Sequence, residues 1–267
     1  MTNGSVGGKT TRIAAKAMLE ETLRMIDTGE IKGMQPEEVV AHLVQFATNS
    51  TENELESKYV DDVEGREIKE RFWRYGAVAA AEPSIVLREL AEEDRSAFLQ
   101  IRQAYATYPV IMKNEAFQAS LWNQYLDHTA LILAIVKDGR FVGYCGIENT
   151  AKAPWEISIE LLPEWTHKGI GFAAIGAMLE AMQERLGVTE FRVRIDPSNV
   201  ASQSLFEKLG AKPNGISPLL LRTEEEIRQS EEENLPNIDE TLVAVAEKFG
   251  VEPRKLLSHV LEYKLRR

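Results

Sequence analysis

The chain has 267 residues, with Lys+Arg at 31 and Asp+Glu at 42, for a formal net charge of −11. Hydrophobic residues make up 44% and charged residues 27%, the balance of a folded chain and not of a disordered one. The acidic surplus argues against a protein built to coat nucleic acid or an anionic membrane. Cys145 is the one cysteine, so neither an internal disulfide nor a cysteine-rich metal site can form. The longest apolar run, Ala130 to Val136, falls far short of the ~20 residues that a spanning helix needs. The N-terminus lacks the apolar stretch of a leader, so a cytoplasmic location is expected.

Residues 1–82 read as a helical region. Ala15, Met18, Leu19, Thr22 and Ile26 approximate one helical stripe. Pro36, Glu37 and Glu38 suit a helix start, and Val39, Val40, Leu43, Val44 and Ala47 supply its apolar face. A third, highly charged helix is expected from Glu52 to about Tyr75, and Gly76 to Pro83 reads as a joint.

Residues 83–222 change character. Ser84–Leu90 is strand-like, Glu92 to Tyr105 is helical, and Glu115–Leu126 suits another helix. Leu131–Val136 is an apolar strand, and Asp138-Gly139 is a hairpin turn into Phe141–Glu148. From Trp155 to Leu162, Ile157, Ile159 and Leu161 alternate with Glu156, Ser158 and Glu160. A glycine-containing turn then opens a long helix at Ile170 with the stripe Ile175, Met178, Leu179, Met182 and Leu186. Phe191, Val193 and Ile195 mark one more strand, and a short helix after Asn199 stops at Gly210. Residues 223–267 read as an acidic, solvated linker followed by two helices, about 239–249 and 253–266. The whole predicts an α+β fold: a mixed, mostly antiparallel sheet flanked by helices, with helical additions at both ends.

The chemistry concentrates between Trp155 and Gly215. Lys168-Gly169-Ile170-Gly171-Phe172 follows a strand and opens a helix, so backbone N–H groups and the helix dipole converge on one anion site. About 30 residues on comes Asn199-Val200-Ala201-Ser202-Gln203-Ser204-Leu205-Phe206-Glu207-Lys208-Leu209-Gly210. Together these two runs resemble the GNAT acetyltransferases, closest to the branch that acetylates ribosomal protein N-termini. The hairpin Phe141–Ile147 is also similar to that branch, and the resemblance spans about residues 84–220.

The resemblance implies an acetyl-coenzyme A site. His167, Lys168, Gly169, Ile170, Gly171 and Phe172 would cradle the pyrophosphate. Leu161 and Leu162 would meet the pantetheine arm through their backbone, and Asn199 and Phe206 would help hold the cofactor. It also implies an amine acceptor attacking directly, with no covalent enzyme intermediate. Thr166 stands where relatives carry Arg or Gln, and Phe206 where many carry a proton-donating Tyr. The meeting with the departing thiol then falls to Ser202. An amine of pKa near 10 must lose a proton before attack, and a positioned carboxylate is the usual answer. Glu156 and Glu160 are the candidates from the strand before the phosphate turn, and Glu148 is a third.

Other signals carry less. Gly4 to Thr10 has the wrong spacing for a phosphate-binding loop. The histidines His42, His128, His167 and His259 are not at metal-ligand spacing, so no metal is expected. Cys145 reads as a buried structural thiol. The last two helices, with Arg254, Lys255, Lys264, Arg266 and Arg267 on the second, are read as a packing or homodimerisation element. Two rival functions follow: an acyl-coenzyme A sensor without catalysis, motivated by Thr166 and Phe206, and a regulator whose C-terminal helix pair reads DNA.

Overall fold

The computed structural model of the protein describes residues 52–82, 84–106, 111–218 and 224–267. The expected helices over Ala15–Ile26 and Pro36–Ala47 lie outside them. Helix α1 spans Glu52–Trp73, followed by the short strand β1, Val78–Ala79, and β2, Ile85–Glu89. Helices α2 (Arg95–Tyr105) and α3 (Glu115–Leu126) precede the hairpin of β3 (Leu131–Lys137) and β4 (Arg140–Ile147). Then come β5 (Trp155–Leu161), α4 (Ile170–Leu186), β6 (Glu190–Ile195), α5 (Val200–Lys208) and β7 (Lys212–Pro218). Helices α6 (Glu224–Glu233) and α7 (Glu240–Phe249) lead to a final strand, β8 (His259–Arg266).

The strands form one sheet in the order β1-β2-β3-β4-β5-β6-β8-β7. All neighbouring pairs are antiparallel except β5 and β6, which run parallel. This is the α+β architecture expected from the pattern. Asp138 (φ 50°) and Gly139 (φ 76°) close the β3–β4 hairpin in the left-handed conformation that such a tight turn needs.

Two apolar layers sandwich the sheet. On one face α4 buries Ala174, Ile175, Met178, Leu179 and Met182 against Ile157, Phe191, Val193 and Leu261. On the other face, α2 and α3 bring Phe98, Ile101, Trp122 and Tyr125 onto Ile132, Ala134 and Tyr144. Phe98 sits at the centre of that layer, 4.8 Å from the Tyr125 ring and 5.2 Å from the rings of Trp122 and Tyr144.

Helix α1 is fixed to this body at both ends of its described side chains. A Cβ on Gly65 would stand 2.5 Å from the His128 carbonyl oxygen, so only glycine allows this approach. Lys69 Nζ donates to the carbonyls of Leu126 and Asp127 at the end of α3. Arg185 donates from Nη1 to the Phe72 carbonyl (2.9 Å) and the Gly76 carbonyl (2.7 Å).

The C-terminal region departs from the sequence expectation. The first expected helix is α7, but 253–266 is a short 3-10 turn over Pro253–Leu257 followed by β8. Leu261, Tyr263 and Leu265 alternate with Glu262, Lys264 and Arg266, the period of a strand. β8 lies between β6 and β7 and pairs with both. Its basic residues answer charges on β6: Lys264 Nζ is 2.5 Å, and Arg266 Nε 2.8 Å, from the Glu190 carboxylate. A helix pair for reading DNA is therefore not what this segment builds.

The acidic run is also more than a linker, since it forms α6. Glu231 on α6 is buried and accepts from Arg254 Nε (2.8 Å), Lys255 Nζ (3.0 Å) and Ser258 Oγ (3.0 Å). These bonds tie α6 to the turn that starts β8.

Candidate active site

β5 and β6 pair only at their first residues, Trp155 with Phe191 and Glu156 with Arg192, and diverge beyond. Leu162 N–H donates to the Val142 carbonyl of β4 (2.9 Å). Backbone parity then turns the N–H and C=O groups of Ile159 and Leu161 toward the edge that β6 has left. The result is a cleft with backbone donors and acceptors along one wall. The Leu161 carbonyl already accepts the Tyr105 hydroxyl at 3.0 Å.

At the end of that wall stands the N-terminus of α4. Gly169 is its N-cap residue, at φ 78° and ψ −8°, and no side chain caps the helix. The first inward helical bond runs from Ala173 N–H to the Gly169 carbonyl. The N–H groups of Ile170, Gly171 and Phe172 are thus left to a ligand or solvent, at the positive end of the helix. Space is open where a Gly169 Cβ would stand. At Gly171 a Cβ would meet Ile159 Cδ1 at 3.3 Å and Leu205 Cδ2 at 3.4 Å, so α4 and α5 close tightly there. His167, Lys168 and Phe172 are exposed around this end, and Lys168 Nζ rests 5.0 Å above the Trp165 ring. A polyphosphate with an amide-bearing arm fits this pairing of an uncapped helix and a free strand edge.

Two residues expected at the cofactor also have structural partners. Phe206 is 2% exposed and belongs to the core beneath α5, because it lies on the inward stripe of that helix. Asn199 caps α5, accepting the Ser202 N–H through Oδ1 at 3.0 Å. Ser202 stands half-buried on the first turn of α5. Leu161 is half-buried, Leu162 is buried, and Ile170 is buried under the first turn of α4.

The expected parity of β5 holds, since its register against β4 runs without a shift. Glu156, Ser158 and Glu160 share the face turned toward α2 and α3, but the two carboxylates have different surroundings. Glu156 accepts from Arg192 (2.9 Å) and from Arg194 Nε (2.8 and 2.9 Å). Both arginines lie on β6, so this carboxylate joins the two strands just before they part. Two guanidinium groups thus occupy this carboxylate in bridging the strands.

Glu160 lies against a different group. Its Oε1 accepts from Arg102 Nη1 at 2.5 Å, and its Oε2 accepts from the Tyr144 hydroxyl at 2.7 Å. Arg102 Nη1 also donates to the Tyr144 hydroxyl oxygen at 3.1 Å. Burial raises the proton affinity of Glu160, and the nearby Glu148 adds to this. Arg102 and the Tyr144 hydroxyl pull the other way, and the carboxyl ends above its ordinary range. Glu148 itself is exposed and accepts from the Tyr125 hydroxyl at 3.2 Å. Arg102, Tyr105, Tyr125 and Tyr144 were not singled out in the sequence. The faint signal was Arg102 and Tyr105 lying beside the apolar positions Phe98 and Ile101 of one helix. Cys145, on the same strand as Tyr144, is buried, and burial pushes its thiol up. It is inert, as expected.

The sequence signature of the Acetyltransferase (GNAT) domain matches residues 84–212. Residues 84–212 are a GNAT acetyltransferase domain. A Bacillus subtilis protein provisionally named a ribosomal protein bS18-alanine N-acetyltransferase is 27% identical over 130 residues, covering 49% of this chain and 82% of the relative. The solved structure of RimL, a ribosomal L7/L12 alpha-N-protein acetyltransferase in complex with coenzyme A, is 13% identical. It covers 71% of this chain and 97% of its own, with a TM-score of 0.50, and it shows the shared fold. RimJ of Mycobacterium smegmatis, in complex with CoA-disulfide, is 16% identical over 72% of this chain and 86% of its own, with a TM-score of 0.48. The matched GNAT segment ends at the first residue of β7, so β8 completes the sheet from beyond it. Among the described residues no group of His, Cys, Asp and Glu is arranged to hold a metal ion, and no helix is long and apolar enough to cross a membrane.

Proposed function

We infer that the GNAT domain is an acetyl-coenzyme A-dependent N-acetyltransferase acting on a primary amine. The observation that carries this is the divergence of β5 from β6 at the uncapped start of α4, with the Glu160 carboxyl beside the same strand edge. The N–H groups of Gly169 to Phe172 would hold the pyrophosphate, and the free edge at Ile159 and Leu161 would bind the pantetheine amides. Acetyl-coenzyme A, when bound, supplies an acetyl group activated as a thioester.

The remaining work belongs to the chain. Glu160, with its raised proton affinity, takes the proton from the attacking ammonium. The Ile159 N–H is a donor available to a carbonyl oxygen as it gains charge. Ser202 offers a hydroxyl to the departing sulfur, a task that buried Phe206 cannot perform. Glu156 holds β5 to β6 at the apex of the cleft through its two arginines. The acceptor class follows the names of the relatives: a protein N-terminal amine is the first substrate to test, and small amines the second.

The experiment is coenzyme A release, read with a thiol reagent, over a panel of N-terminal peptides and small amines. Acetylation of any member, lost in Glu160→Gln, supports the reading. Acetyl-coenzyme A binding with no turnover on the panel would instead support the sensor.

A further inference from the structure

We propose that Arg102 is a positioning residue of the acetyl-transfer site, holding the Glu160 carboxylate in one orientation directly and through Tyr144. This rests on the reading of Glu160 as the base. A glutamate side chain has three torsions, and its carboxylate would otherwise sample several orientations. Here each oxygen has its own donor. Arg102 Nη1 reaches Oε1 at 2.5 Å, the Tyr144 hydroxyl reaches Oε2 at 2.7 Å, and the same Nη1 supports that hydroxyl at 3.1 Å. The three groups close a triangle built from α2, β4 and β5. Each carboxylate oxygen keeps a second lone pair, so the arrangement fixes the group without using up its capacity to take a proton.

Arg102 is itself held in place. Its guanidinium lies 5.6 Å above the Tyr125 ring, and the Tyr125 hydroxyl donates to Glu148. The charged and titratable groups facing the pair are known from each element around it. They are Tyr105 on α2, Tyr125 on α3, Tyr144 on β4 and Glu148 after β4, while Glu164 after β5 acts on Tyr105. Arg102 is the cation among the groups that act on Glu160. Removing it leaves burial and Glu148, which favour the protonated form, opposed by the Tyr144 hydroxyl.

A purely structural ion pair would affect stability and leave the pH profile alone. The test therefore compares Arg102→Gln, Arg102→Lys, Tyr144→Phe and Glu160→Gln in coenzyme A release across pH. For Arg102→Gln we expect kcat to fall about 10–100-fold, the scale of a misplaced or wrongly protonated base, with the KM for acetyl-coenzyme A within about 2-fold. The acid limb of its profile should move to higher pH. Arg102→Lys should recover part of that limb, because it restores the charge without the fork. Should Arg102→Gln fail to fold, Tyr144→Phe takes its place, with a smaller shift in the same direction. Wild-type kcat and an unmoved limb in the folded variant would overturn the proposal. Wild-type turnover in Glu160→Gln would overturn the base reading itself, which keeps the two failures apart.

Discussion

Leu261→Ala probes the least expected element, β8. Leu261 has no exposed surface and pairs across to Ile195 of β6 on one side and Ile216 of β7 on the other. Its side chain meets the layer that also holds Val193, Tyr263 and the residues of α4. Truncating a fully buried leucine costs about 2–5 kcal/mol, since the lost transfer free energy is joined by the cavity left behind. With a urea m-value of ~2 kcal/mol/M, the midpoint should fall by roughly 1–2.5 M. Exposed Arg266, five residues on in the same strand, serves as the control, and Arg266→Ala should change stability by at most about 0.5 kcal/mol. Urea unfolding followed by far-UV circular dichroism and tryptophan fluorescence reads both. A Leu261→Ala midpoint within 0.3 M of wild type (roughly 0.6 kcal/mol at that m-value) would refute the placement of this strand in the core.

Glu156 and Glu160 should separate cleanly by assay. Glu156→Gln loses its charge pairing with Arg192 and Arg194 and should cost about 1–2 kcal/mol of stability in urea unfolding, while kcat changes less than about 3-fold. Glu160→Gln should lower kcat by about 100-fold or more without that loss of stability. In the wild type, the activity of an ionised base should fall on the acid side at a pH above the ordinary carboxylate value of 4.5, because Glu160 is raised above it. The same shift has a stability sign. The folded state binds this proton more tightly than the unfolded chain, so the contribution is full below the unfolded pKa and is lost as pH rises through the folded one. Urea midpoints of wild type and Glu160→Gln measured across pH should therefore diverge upward from about pH 4.5, with the glutamine variant the more stable at neutral pH.

What the sequence made legible was local. The Asp138-Gly139 turn, the alternation along β5 and the stripe of α4 each declare themselves within a dozen residues, and each stands where it was expected. The uncapped start of α4 was legible for the same reason: a strand, two glycines and a helix start are contiguous. β8 was not, because 253–266 offers apolar residues at both spacings. Leu256, Val260 and Tyr263 fit a helical stripe, while Leu261, Tyr263 and Leu265 fit a strand. Its partners on β6 decide the matter, and they lie 76 positions away at the Glu190–Arg266 bond. The surroundings of Glu160 were hidden for a similar reason, since Arg102 is 58 positions from it. Phe206 is a motif position that the core also claims, because the inward face of a short helix has apolar neighbours to satisfy.

The central claim is that the cleft beside α4 holds acetyl-coenzyme A by its backbone. Calorimetric titration of acetyl-coenzyme A into wild-type protein and Gly171→Glu tests it directly. A Cβ at Gly171 meets Ile159 Cδ1 at 3.3 Å and Leu205 Cδ2 at 3.4 Å, so a glutamate crowds the wall beside the helix start and adds a negative charge near the N–H groups there. We predict saturable binding to wild type, and affinity at least about 10-fold weaker, roughly 1.4 kcal/mol, in a variant that still unfolds cooperatively. Binding of equal strength to both proteins, or none to wild type, would contradict the account.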